Sequence, residues 1–167
     1  MTAMTYSIDC NGHLDLSPCY KGMGCDMMLA SEISREYFFS ELQGLVAWDG
    51  VPIKGMEYEG TWVKLVARHK ARRKPFNPVC DLDLNRVVRL PVLRRALTGM
   101  ESADVYRQSY KGDESAIQVL VSGADKDYVV VLGIVKGFYV MRSAYLGDDG
   151  TTRKIIERGR LVDRIRP

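Results

Sequence analysis

The chain has 167 residues, 46% hydrophobic and 27% charged, the proportions of a folded domain and not of a disordered one. Its longest apolar run, Tyr128–Ile134, is far short of the roughly 20 residues of a transmembrane helix, and Met1–Cys10 lacks the basic leader and apolar stretch of a signal peptide, so a cytoplasmic protein with no membrane partner is expected. The net charge of +3 conceals an asymmetry: residues 1–60 hold 3 basic and 9 acidic side chains and residues 61–167 hold 21 and 12, which predicts an acidic N-terminal lobe (1–60) beside a basic domain (61–167) suited to a polyanion.

In the acidic lobe, Gly12, Pro18, Gly22 and Gly24 punctuate residues 4–25 into a small hairpin or irregular segment. Cys10, His13, Cys19 and Cys25 follow one another there in C-x2-H-x5-C-x5-C order. Thiolate and imidazole suit the tetrahedral preference of zinc, but only Cys10 and His13 have knuckle spacing. Two readings stay open, a structural zinc and a set of reduced thiols. Asp26 is placed to cap a helix whose apolar positions (Met27, Leu29, Ala30, Ile33, Tyr37, Phe38, Leu42) recur at helical spacing until Gly44. Asp49-Gly50, between 45–48 and 51–53, signals a hairpin, and the aromatic residues and methionines of this stretch read as core.

The basic domain begins with Trp62–Arg68, read as a short apolar strand that runs into Arg68-His69-Lys70-Ala71-Arg72-Arg73-Lys74. Pro75 and Pro78 end that cluster. A helix is expected from about Asp83 to Leu97, with Pro91 kinking it or opening a fresh helix, and Gly99 closing it. Four β-rich runs follow: Ala103–Tyr110, Ala116–Ser122, Tyr128–Ile134 and Phe138–Leu146. Their short turns predict antiparallel neighbours, and the third run, apolar on both faces, should be central. Thr151–Pro167 alternates apolar residues with arginines and reads as a short helix broken near Gly159. The expected fold class is therefore α+β, a helix packed on a four-stranded antiparallel meander beside the small acidic lobe.

From about Trp62 to Arg160 this order of elements resembles the barnase/EndoU/colicin/RelE-like nuclease superfamily, in particular its phage-associated members. The residues that carry the likeness are Arg68-His69 ahead of the helix, Leu93–Leu97 at its end, and Arg142-Ser143-Ala144-Tyr145 at a strand end. Residues 1–60 are not covered. The resemblance implies a metal-independent endoribonuclease, toxin-like or phage-associated, that cleaves RNA through a 2′,3′-cyclic phosphate, needs no cofactor, and has a cognate inhibitor or immunity protein as a possible partner.

Such a reaction needs a base for the 2′-hydroxyl, an acid for the 5′-leaving oxygen and cations for the charge growing on phosphorus. His69 titrates near neutrality and is the candidate acid/base. Arg68 and Arg142 offer bidentate forks to phosphate, and the Ser143 and Tyr145 hydroxyls can bond the same group. Lys70, Arg72, Arg73 and Lys74 are candidates for tracking the RNA backbone. In a regular strand Ser143 and Tyr145 share a face, while Arg142 points the other way with Phe138 and Val140. A cation on an apolar face is odd unless the strand bulges at Arg142, the other reading being an edge-strand cation. Barnase-like relatives often use a glutamate base and EndoU-like ones two histidines. The other histidine here, His13, lies outside the covered stretch, which leaves Tyr145 or Glu157 as the second proton carrier. Two alternatives remain: a catalytically inactive nucleic-acid-binding module, and a protein-interaction domain whose acidic lobe masks the basic one.

Overall fold

A computed structural model describes residues 6–68, 75–110 and 113–167. Contacts divide the chain into two units that are not continuous in sequence, 1–43 with 57–94, and 44–56 with 95–167, a division that cuts across the charge boundary at residue 60.

The first unit is mainly helical. A two-stranded antiparallel ribbon, β1 (Tyr20–Lys21) and β2 (Gly24–Cys25), precedes α1 (Met27–Glu41). The Asp26 carboxylate accepts the Leu29 N–H at 3.1 Å, the expected cap, and Ala30, Ile33, Tyr37 and Phe38 are buried along one stripe. The segment read as an apolar strand is α2 (Glu59–Val66) instead. Trp62, Leu65 and Val66 are buried at i, i+3 and i+4, a helical spacing that so short a run did not distinguish from a strand. α3 (Pro78–Asp81) is capped by Asn77 and α4 (Leu84–Val87) by Asp83, whose carboxylate accepts the Asn85 N–H at 3.0 Å. The predicted 83–97 helix is thus two helices, because α5 (Leu90–Leu97) starts afresh with Pro91 in its first turn, where a missing N–H costs nothing. Its residues fall on both sides of the division between the units.

The second unit is built on a six-stranded mixed sheet: β3 (Ile53–Lys54), β4 (Ala103–Tyr110), β5 (Asp113–Val121), β6 (Asp127–Val135), β7 (Phe138–Gly147) and β8 (Gly159–Ile165), in the order β3-β7-β6-β5-β4-β8. This corrects the expected architecture. The chain is α+β, and β4 to β7 are antiparallel neighbours with β6 interior, but the sheet is not a four-stranded meander. One edge gains β3, parallel to β7, delivered by a turn at Ala47–Gly50 in which Gly50 takes φ +83°. The other edge gains β8, antiparallel to β4, from the tail expected to be a broken helix. The tail does begin as α6 (Asp149–Arg158), capped by Asp148 onto the Thr151 N–H at 2.7 Å, and leaves the helix at Gly159.

Within this unit α6 packs on one face of the sheet, through Ile155 against Tyr106, Leu120 and Val129. The opposite face buries Val105, Ile117, Val119, Val130, Leu132, Met141 and Ala144. The β5–β6 turn depends on Gly123, where a Cβ would lie 2.1 Å from the Lys126 carbonyl oxygen. Backbone must move to admit it, so Gly123→Ala is expected to cost about 1–3 kcal/mol, and an unchanged thermal midpoint would contradict this packing. Among the described residues no helix is long and apolar enough to cross a membrane.

Candidate functional site

The residues of the strand-end motif meet at a bulge. Across β6 and β7, Val131 pairs with Ser143 and Leu132 with Met141, so Arg142 is the extra residue. The effect is local and specific. In a regular strand Arg142 would face away from Ser143 and Tyr145, but the bulge turns its exposed side chain onto their face. A Cβ built on Gly133, two residues from Val131 and on that same face, would come within 2.5 Å of Arg142 Nε and 3.0 Å of its Cζ and one terminal nitrogen. The guanidinium therefore lies across Gly133, in space that any larger residue on β6 would fill. Ser143 is half-buried beside it. Tyr145, also half-buried, packs its ring against the Tyr106–Leu120–Val129–Ile155 cluster. The bulge thus offers one cation and one hydroxyl on a ledge whose floor is apolar.

The other predicted residues are distributed differently. Arg68 is exposed in the first unit, its Nε donating to the Leu82 carbonyl at 3.4 Å. His69, Lys70, Arg72, Arg73 and Lys74 lie outside the described residues. Glu157 is exposed on α6. Cys19 is buried and Cys10 exposed, and among the described residues no three His, Cys, Asp or Glu side chains are grouped to hold a metal. Burial, with the charges of Cys25 and Asp26 adding to it, pushes the Cys19 thiol up to about 11, which favours the neutral form.

The face of the sheet opposite the bulge carries a second constellation, none of it singled out in the sequence. A cavity of 430 Å³ is lined by Trp48 and Asp49 from the 45–53 turn, Tyr139 of β7, Ile117 of β5, Val105 and Arg107 of β4, and Arg160 to Asp163 of β8. Trp48 stacks on Tyr139, with centroids 5.8 Å apart and planes at 15°. Each ring is held by a carboxylate: Trp48 Nε1 donates to Asp163 Oδ2 at 3.0 Å and the Tyr139 hydroxyl to Asp49 Oδ2 at 2.6 Å. Burial first, then the bond to Asp49 and its charge, raise the Tyr139 phenol far above its ordinary value, with Arg107 opposing, so it is a donor and not a base. One signal for this site was present in the sequence. Arg107 follows Ala103 and Val105 at period two, the same anomaly of a cation on an apolar face that marked Arg142.

The chain matches no protein-family model, no curated protein and no solved structure. The nuclease resemblance therefore stands on the residues quoted for it.

Proposed function

We propose that the chain is a metal-independent endoribonuclease of the barnase/EndoU/colicin/RelE-like kind, with Arg142 as a phosphate ligand. The observation that carries this reading is the Arg142 bulge, which lifts a guanidinium out of an apolar strand and rests it, exposed, over a glycine. A bulge interrupts ladder bonds and bends the strand, and such features persist where they re-aim a side chain.

In the proposed reaction the 2′-oxygen attacks the adjacent phosphorus while a base takes its proton. The P–O5′ bond breaks as an acid protonates the leaving oxygen, leaving a 2′,3′-cyclic phosphate and a 5′-hydroxyl. His69 is the proposed proton carrier on its chemistry. Arg142 neutralises charge that grows on the non-bridging oxygens, and the Ser143 hydroxyl donates to the same group. A toxin-like role implies a cognate inhibitor or immunity protein as the natural partner.

The glycine supplies the test. Gly133→Val leaves every charge in place but fills the space under the guanidinium. Fold stability should change little, since the atom displaced is the far end of a flexible side chain, yet RNA cleavage should fall by about tenfold or more. Cleavage by a folded Gly133→Val variant at the parent rate would remove Arg142 from the proposal.

A further inference from the structure

The cavity opposite the bulge brings two cations together with a pinned pair of aromatic rings. Arg107 on β4 and Arg160 on β8 are directly paired in the antiparallel register and line the same cavity. Beside them two aromatic rings are stacked and pinned, each through a hydrogen bond to its own carboxylate. Those carboxylates are further engaged by backbone: Asp49 Oδ1 accepts the Val51 N–H at 3.2 Å, and Asp163 Oδ1 accepts the Arg164 N–H at 2.8 Å. The acidic groups lining the cavity thus hold its wall in place. Its 430 Å³ fall within the range of about 300–1,000 Å³ common for small-molecule sites.

We infer that this cavity binds a nucleotide, with the planar base packed against the Trp48–Tyr139 pair and the phosphate held between Arg107 and Arg160. Stacked aromatic rings receive a base whatever its identity, because every base has a π-face. A pair of guanidinium forks matches the oxygens of a phosphate monoester or diester. A pinned ring pair loses little freedom when the base arrives, which favours binding. The same chemistry has two sources, a free mononucleotide or the terminal nucleotide of an RNA strand. The inference is independent of the cleavage reading, since Arg142 lies on the other face of the sheet.

The test uses the full chain, 5′-AMP, adenosine, inorganic phosphate and a 5′-phosphorylated decaribonucleotide. AMP should quench tryptophan emission and bind calorimetrically with a Kd of about 1 mM or tighter, and adenosine and inorganic phosphate should each bind at least about tenfold more weakly. Trp48→Phe should lose the quench, because Trp62 is the other tryptophan, and retain the heat. Arg107→Gln and Arg160→Gln should each weaken AMP at least about tenfold in variants whose fold is retained. Tighter binding of the decamer than of AMP assigns the site to a strand end, and equal binding assigns it to the free nucleotide. Absence of binding by the parent to both AMP and the decamer overturns the inference. So does AMP affinity unaltered in both arginine variants, or inorganic phosphate binding as tightly as AMP.

Discussion

His69→Ala is expected to abolish RNA cleavage while leaving the fold and RNA affinity close to those of the parent. A proton carrier acts mainly in the transition state, where general acid–base catalysis is typically worth about 10²–10⁴ in rate. The imidazole is one group in a run of Lys and Arg (Arg68, Lys70, Arg72, Arg73, Lys74), the cations proposed to attract the RNA backbone. Single-turnover rates across pH separate the two contributions. The parent should show a limb with an apparent pKa near that of histidine, absent from the residual activity of the variant. Undiminished cleavage by His69→Ala removes the residue from the mechanism. Lys70→Ala serves as the control, with modestly weaker binding and an unaltered cleavage step.

The second large effect belongs to Arg142. Its replacement by alanine is expected to lower both the rate and the affinity, because a phosphate ligand contacts the substrate before and during the reaction. Loss of one preorganised electrostatic contact in an active site typically costs about 10²–10³ in rate. It should also reduce the dependence of log K on log salt by roughly 0.7–0.9, the release of about one counterion. Fold stability should hold, because the side chain is exposed and its bulge is unpaired in the register. An unchanged salt slope together with a lost rate would reassign Arg142 to positioning a neighbour, and an unchanged rate would end its role.

What could be read from the sequence was local. Asp26 before an apolar stripe, Pro91 at a helix start and the four runs from Ala103 to Leu146 each carry their signal in neighbouring residues, and each appears where expected. The Arg142 bulge was legible for the same reason, since one cation broke a period-two pattern. The rest depended on distant segments. The hairpin about Asp49-Gly50 was legible and forms, with Val46 opposite Pro52, but nothing within the two residues of β3 marks their parallel pairing with the distant β7. β8 alternates arginine with apolar residues over seven positions, too few to separate a period of 2 from 3.6. The cavity joins a turn at Trp48, a strand position at Arg107 and a tail residue at Arg160, and the sheet register alone brings the two arginines together. Trp48 read as core for want of that register, although it is a half-buried wall of the cavity.

The central claim is cleavage of RNA without a metal, and it is tested most directly by incubating the purified chain with mixed RNA in excess EDTA and analysing the new ends. The account predicts fragments with 2′,3′-cyclic phosphate or its 3′-phosphate hydrolysis product at one end and a 5′-hydroxyl at the other, produced by the parent and lost in His69→Ala. RNA left intact by folded protein, or fragments bearing 5′-phosphates, would contradict it.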